Sequence, residues 1–391
     1  MDRSTEEHWW TAVMAGRRAA LKGSNALRIL LLTGSYPPMR CGVGDYVASL
    51  ADALNRLGGT EVAVITDRRA RGAGSSSGVD VFPIAHGWRV SDLRPIFTTI
   101  RQWAPDVLHF QYPTQGYADR LLPWVLPLLL SMLRVPVVQT WHEHLPMGSR
   151  LRSVALALAP GRLVVVRPNY EAALPLWARV LTRPKRPLFI PNASSIPQVK
   201  LSDSERRDIR RRLDSSAKYF VAYFGFIYPN KSVELMFDVP DPRQDHLVLI
   251  GQLNQDHPYQ RAVRERTQRE PWRGKVTVTD FLPGDEVARL LAAVDAVVLP
   301  FRDGGGVWNT SLQAAAIQGT FVLTTSRERQ GFDPSSNIYF SKPGDITDMR
   351  SALRQYVGRR NTSAVTDGYA SWEFIAQAHA SLYREILGNA E

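Results

Sequence analysis

Four short stretches of this 391-residue chain hold residue types that could act on a phosphorylated small molecule. The first runs Gly34-Ser35-Tyr36-Pro37-Pro38-Met39-Arg40-Cys41-Gly42-Val43-Gly44-Asp45-Tyr46. Gly42 and Gly44 there would let backbone N–H groups approach an anion at the start of a helix. A tight turn with no ligand reads the same way, and the third glycine of a dinucleotide fingerprint is missing. The second is Tyr223-Phe224-Gly225-Phe226-Ile227-Tyr228-Pro229-Asn230-Lys231-Ser232. A strand ends at Gly225 and a helix is expected to open near Lys231, whose ammonium could pair with a pyrophosphate as a point charge. The third runs from Leu299 to Leu312, with Asp303 and Gly304-Gly305-Gly306 ahead of Asn309-Thr310-Ser311. Three successive glycines carry high backbone entropy and are poor choices for stability alone. Asn309, Thr310 and Ser311 are helix-capping types, and free N–H groups at that helix start would attract phosphate. Asp303 could accept hydrogen bonds from sugar hydroxyls or hold a turn. The fourth is Gln139-Thr140-Trp141-His142-Glu143-His144. The two histidines lack HExxH spacing and the single cysteine is distant, so no metal is expected and His142 reads as a hydrogen-bonding group.

These stretches need strands to hold them. Residues 28–33 (RILLLT) form an apolar run ahead of the first stretch, and a helical pattern from Tyr46 stops at Gly58-Gly59 before the strand Val62–Ile65. Residues 70–79 read as a loop. Strands are expected at Val107–Phe110, Val135–Gln139, Leu163–Val166 and Leu188–Ile190. After a charged helix over 202–213, the pattern restarts with Tyr219–Phe224, His246–Ile250, Val276–Val278, Ala296–Leu299 and Phe321–Thr324. Continuous apolar strands alternating with helices predict an α/β fold of two Rossmann-like, doubly wound domains facing across a cleft. Residues 371–387 read as a terminal amphipathic helix.

Composition narrows the class. At 44% hydrophobic residues the chain is long enough for two cores. One cysteine, Cys41, excludes a disulfide framework and fits a reducing cytoplasm. The start, MDRSTEEHWW, lacks the apolar segment of a secretory signal. The run 121–138 contains Arg134, Pro123 and Pro127 and is too broken to span a bilayer. It reads as a buried helix leading into a strand, or as a helix resting on a membrane surface. Net charge is +11, and it is one-sided: residues 1–200 carry 24 Lys+Arg against 13 Asp+Glu, and the rest carry 24 of each. That favours an anionic partner for the first half, a membrane face or phosphorylated lipid. No nucleic-acid-binding signature accompanies the charge.

Taken in order, YPPMRCGVGDYVASLADAL, PDVLHFQY, VPVVQTWHEH, FIPNASSIP, FGFIYPNKSVELM, TDFLPGDEVARLLAAVDAVVLPF, SLQAAAIQGTFVLTT and SWEFIAQAHASLY resemble glycosyltransferase family 4, the large retaining family of GT-B fold. The resemblance implies an acceptor-binding domain over 1–195, a nucleotide-sugar-binding domain over 196–370, and a helix over 371–391 returning to the first domain. It implies that Gly42 and Gly44 lie near donor phosphates and acceptor, that His142 contacts the transferred sugar, and that Lys231 neutralises the diphosphate. Trp372 would belong to the returning segment. Phe226 stands where the family usually has arginine, and Gly306 and Ala314 where it has two glutamates. Trp308-Asn309-Thr310 replaces the Arg-Arg-Gly common in a related sub-branch.

The expected reaction moves a sugar from a nucleotide-sugar donor to a saccharide or lipid-linked acceptor, with retention and with no cofactor or metal. Lys231 and the Thr310/Ser311 helix start would stabilise the leaving diphosphate, with Gly225, Gly305 and Gly306 leaving room for it, while Asp303 and His142 hold sugar hydroxyls. The acceptor is expected around His109, Tyr112 and Tyr117, and Trp9-Trp10 adds to the expectation of a lipid-linked or anionic acceptor at the inner membrane face. The rival reading is an inactive GT-B protein serving as a sugar-binding or partner subunit. A sugar-nucleotide epimerase is a further alternative.

Overall fold

A computed structural model describes residues 26–72, 78–143, 150–214, 216–306, 308–361 and 371–388. The Trp9-Trp10 pair and His144 lie outside the described residues. The chain divides into two compact units, Met1–Pro191 with Ser371–Glu391, and Asn192–Ala370.

The first unit is built on a parallel sheet of seven strands among the described residues, in the order β3-β2-β1-β4-β5-β6-β7. They are β1 (Leu27–Leu32), β2 (Thr60–Asp67), β3 (Asp80–Ala85), β4 (Val107–Tyr112), β5 (Val137–Trp141), β6 (Arg162–Val165) and β7 (Leu188–Phe189). The helices between them are α1 (Gly42–Leu57), α2 (Leu93–Trp103), α3 (Leu122–Leu130), α4 (Arg150–Leu158) and α5 (Leu176–Thr182). Ile29 to Leu32 and Val62 to Ile65 are buried throughout, because helices cover both faces of a parallel sheet. Strand β3 is absent from the sequence reading. It is a half-exposed edge strand containing Pro83, so it lacks the continuous apolar run that marks its neighbours. Strand β5 ends two residues later than expected, which puts His142 directly after it.

Strand order reverses between β1 and β4, so their carboxyl ends diverge into a crevice. From β4 to β7 the chain steps in one direction by right-handed crossovers, which places α3, α4 and α5 side by side on one face. The 121–138 run resolves into α3 and the entry to β5. Leu122, Trp124, Leu126 and Leu130 are buried, so this helix belongs to the core. On the opposite face, the last helix, numbered below as α11, packs along α1.

The second unit repeats the plan with sheet order β10-β9-β8-β11-β12-β14-β13. Its elements are α6 (Asp203–Leu213), β8 (Tyr219–Phe224), β9 (Asp245–Ile250), α7 (Pro258–Thr267), β10 (Val276–Val278), α8 (Gly284–Ala293) and β11 (Ala296–Leu299). There follow α9 (Thr310–Ala316), β12 (Phe321–Thr325), β13 (Gly331–Asp333), β14 (Ile338–Ser341) and α10 (Ile346–Tyr356). Strand β13 runs antiparallel at the edge. The chain then returns to the first unit as α11 (Trp372–Gly388). One expectation fails here: no α-helix opens at Lys231. Two short 3-10 turns, Pro229–Lys231 and Val233–Phe237, stand there instead, because Ser232 takes a left-handed backbone (φ 49°) between them.

Candidate functional site

In each unit the chemistry-bearing stretches gather at the carboxyl ends of strands, beside the point where strand order reverses. In the second unit, β8 and β11 flank that point. Gly225 ends β8 with φ 133°, a backbone that L side chains rarely adopt, and a methyl group there would lie 2.8 Å from Ser311 Oγ. The strand end and the start of α9 are thus in close approach. Gly251, at the end of β9, is held just as tightly: a methyl group would lie 2.5 Å from the Gly225 carbonyl oxygen. A lone glycine after a strand carries no distinctive signal in the sequence, so this position is legible only in the fold.

The Lys231 ammonium lies 4.6 Å from the centre of the Phe301 ring, a cation–π arrangement that holds the charge beside the end of β11. Phe301 in turn explains Gly305, where a methyl group would lie 2.5 Å from the ring. Gly306 faces the Trp308 ring, which a side chain there would overlap. Two of the three successive glycines therefore make room for aromatic rings of their own loop, while Gly304 supplies a turn with φ 85°.

The start of α9 needs a correction. Asn309 is its cap, and its side-chain oxygen accepts from the Ser311 and Leu312 N–H groups at 3.1 and 3.2 Å. Those two N–H groups, expected to be free for an anion, are already satisfied. What this end presents is the Thr310 residue, exposed, and the Ser311 hydroxyl beside Gly225. Asn192, another residue missed from sequence, closes the arrangement: it donates to the Trp308 carbonyl at 3.3 Å, and its own carbonyl accepts from Gln313 at 2.9 Å. Asp303 sits in the exposed turn after β11 and pairs with Arg327 at 3.3 Å. An exposed pair of this kind stabilises little.

In the first unit, Gly42 is the exposed first residue of α1, and Gly44 packs so tightly that a methyl group would lie 3.0 Å from the Ser35 carbonyl oxygen. Ser35 Oγ accepts from the Gly116 N–H at 2.8 Å, joining the loop after β1 to the turn after β4. Asp45, in the first turn of α1, is partly buried, and burial raises its pKa to about 6.

His142 is partly buried. Its ring stands edge-on to Tyr46 at 4.6 Å, its Nε2 meets Gln111 Oε1 at 2.9 Å, and its backbone N–H donates to the Tyr112 carbonyl at 2.7 Å. Gln111 can only accept through that oxygen, so His142 carries its proton on Nε2 and leaves Nδ1 as an acceptor. Burial, with His379 and Arg167 near, pushes its pKa down to about 3, so the imidazole is neutral at physiological pH. The Gln111 amide nitrogen lies 3.1 Å from His109 Nε2, which also meets Thr140 Oγ1 at 2.7 Å, and His109 Nδ1 meets the Tyr383 hydroxyl at 2.6 Å. An acceptor role for Nε2 leaves the His109 proton on Nδ1, donated to Tyr383. Helix α11 thus reaches His142 through a chain of side chains beneath it. His379, from the same helix, is fully buried, and burial lowers its pKa to about 4.

The expectation that His109, Tyr112 and Tyr117 face an acceptor fails. All three are buried: Tyr112 donates to the Pro123 carbonyl at 2.6 Å and Tyr117 to the Leu32 carbonyl at 3.4 Å. They brace the loops around the crevice and present nothing to a ligand.

Two Rossmann-like units, each with its loops gathered at a strand-order reversal, are the GT-B class of fold. Residues 41–190 match the family model for the glycosyl transferase 4-like domain, and residues 218–358 match that for glycosyl transferases group 1. The chain belongs to the glycosyltransferases of the family 4 type. It is 23% identical over 290 residues to the sulfoquinovosyl transferase of Arabidopsis thaliana, covering 69% of this chain and 53% of that protein. It thus spans about half the length of that curated relative. Among solved structures it is similar to sucrose-phosphate synthase from Thermosynechococcus elongatus, with a TM-score of 0.72 and 16% identity over 93% of this chain and 100% of that one. It is also similar to Anabaena Alr3699/HepE in complex with UDP-glucose, with a TM-score of 0.67 and 16% identity over 93% and 99% of the two chains. The catalytic domain of starch synthase IV from Arabidopsis thaliana, bound to ADP and acarbose, gives a TM-score of 0.67 at 14% identity over 92% and 99%.

Proposed function

We propose that this protein transfers a sugar from a nucleotide-sugar donor to a saccharide or lipid-linked acceptor, with retention of anomeric configuration, in glycan or glycoconjugate synthesis. The observation that carries this reading is the convergence of Lys231, Gly225 and Ser311 at the β8/β11 reversal. A leaving nucleoside diphosphate needs positive charge and hydrogen-bond donors where its own charge develops. Lys231 is the cation, and the Thr310 and Ser311 hydroxyls are the hydrogen-bond donors. No metal is required by this scheme. The neutral His142 imidazole suits a hydrogen bond to a sugar hydroxyl, and the relay through Gln111 and His109 keeps its tautomer constant. Asp303 is the weakest of the expected site residues, since its carboxylate is exposed and paired with Arg327.

UDP is the first nucleotide to test, since the Anabaena structure carries UDP-glucose, and the curated relative makes a sulfoquinovosyl group one sugar to include. Calorimetry with UDP, GDP, ADP and dTDP and their common sugars, followed by assignment of the product anomer by NMR, tests the reading. Binding of one nucleotide, lost in Lys231→Ala, supports it. An inverted product would remove retention, and absence of binding by a folded sample would remove the enzyme.

A second reading, an inactive sugar-binding or partner subunit, is favoured by Phe226 in the usual arginine place and by Gly306 and Ala314 in the glutamate places. Nucleotide binding without turnover on any acceptor distinguishes it. We further infer a site of action at a cytoplasmic membrane face. It rests on the one-sided charge of the first 200 residues. No described helix is long and apolar enough to cross a membrane.

A further inference from the structure

Helix α5 is apolar on two faces. Ala178 and Thr182 are buried, and Trp177 and Leu181 pack against the core. On its outer side Leu176 is 75% exposed and Val180 62%. A helix on a protein surface ordinarily sets polar residues opposite its core stripe. Here Leu176, Arg179, Val180 and Arg183 follow one another at i, i+3, i+4 and i+7, so the outward stripe alternates apolar and cationic groups.

The neighbours extend this character. Helices α3, α4 and α5 lie side by side on one face of the sheet. Leu158 at the end of α4 is exposed, as are Leu128 of α3 and Met132 in the turn after it, the last at 72%. Residues 144–202 contain nine Lys and Arg and a single acid, Glu171. Some of these cations are engaged: Arg162 pairs with Glu385, and Arg179 donates to the Leu174 and Ala172 carbonyls. Arg183 and Arg186 are exposed and have no carboxylate partner among the described residues, and Arg134 beside Met132 is in the same state.

We propose that the outer surface of α3–α5 docks on an anionic lipid surface. Leu176, Val180, Leu158 and Met132 enter the headgroup boundary, and Arg134, Arg183 and Arg186 meet lipid phosphates. Two exposed hydrophobes one helical turn apart, followed by Arg183 and Arg186, match a surface that is apolar below and negative at its rim. A second copy of this chain fits worse, because a two-fold contact through this face would set its unpaired arginines against one another. The inference deepens the reading of a lipid-linked acceptor and rests on it.

Flotation of the full chain with mixed phosphatidylglycerol–phosphatidylcholine vesicles, beside pure phosphatidylcholine vesicles, tests it. The wild type floats with the anionic vesicles alone, and high salt weakens the association. Arg183→Gln with Arg186→Gln lowers partitioning by roughly twenty-fivefold, since each arginine near such a surface contributes about fivefold. Leu176→Ser with Val180→Ser lowers it by about tenfold or more, whereas Phe281→Ser, at an exposed apolar residue of the second unit, leaves it unchanged. Because the exchanged residues are exposed, each variant keeps its melting temperature and its donor nucleotide affinity. Equal binding to neutral vesicles, no binding to either, or full binding by both double variants overturns the proposal. So does a concentration-dependent dimer that the Leu176→Ser, Val180→Ser variant abolishes. A wild type that binds donor nucleotide but does not float removes the surface and leaves the enzyme, and a wild type that floats but binds no donor removes the enzyme alone.

Discussion

The buried histidines of the first unit make its stability depend on pH, and His379→Leu isolates one of them. Burial lowers His109 well below the ordinary histidine range, His142 to about 3 and His379 to about 4. In the unfolded chain each returns to about 6.5. A lowered folded pKa means that the unfolded state takes up protons first, so stability present above about pH 6.5 is lost as pH falls. At pH 5 His142 and His379 have each given up roughly 2 kcal/mol, at 1.36 kcal/mol per pH unit, together about 4 kcal/mol, and His109 changes in the same direction. Asp45 acts in the opposite sense: its raised pKa of about 6 means that the folded state protonates first, returning about 1.4 kcal/mol by pH 5. The net expected loss between pH 7.5 and 5 from His142, His379 and Asp45 is about 3 kcal/mol, a large fraction of the stability of a domain. Helix α11 carries His379, so the variant removes one of the three proton uptakes. Urea unfolding followed by tryptophan fluorescence at pH 7.5 and pH 5 measures it. His379→Leu should shrink the pH-induced loss by about 2 kcal/mol. An unchanged difference between the two pH values would refute the assignment of a neutral, buried His379.

Other substitutions test the remaining links. Gly225→Ala places a methyl group 2.8 Å from Ser311 Oγ on a backbone of φ 133°, so it should destabilise by roughly 1–3 kcal/mol in thermal melts and weaken nucleotide binding. Adding Ser311→Ala relieves the steric part and leaves the backbone strain. Lys231→Ala should raise the nucleoside diphosphate Kd by about tenfold or more, with the same factor for free nucleotide and nucleotide-sugar, as calorimetry would show. Tyr383→Phe leaves His109 Nδ1 without its acceptor in a buried site and should destabilise by about 1–3 kcal/mol in denaturant unfolding.

Residue order alone determined a good deal. Continuous apolar strands and their alternation with helices foretold both sheets, because a parallel strand buried on two faces must be apolar throughout. Tyr219–Phe224, Val276–Val278 and Ala296–Leu299 fall where they were expected. Glycines next to strand ends marked the loops of the second unit, since close approach and positive φ demand glycine locally. The edge strands β3, with its proline, and the short β13 escaped because half-exposed strands need no uninterrupted apolar run; β14, four residues long, escaped although Ile338, Phe340 and Ser341 are buried.

What the tertiary structure decided are the partners of polar groups. Asn309 looked like one of three capping residues, and only the fold shows its side chain occupying the N–H groups thought free for phosphate. Tyr112 and Tyr117 looked like aromatic acceptor contacts, yet they are core residues whose hydroxyls serve backbone carbonyls. The chain His142–Gln111–His109–Tyr383 spans 274 positions of sequence between its last two members, a separation no local pattern encodes. Periodicity reports which face of an element is buried, because burial repeats with the backbone. It does not report which distant side chain completes a hydrogen bond, because that choice is made when elements remote in sequence pack together.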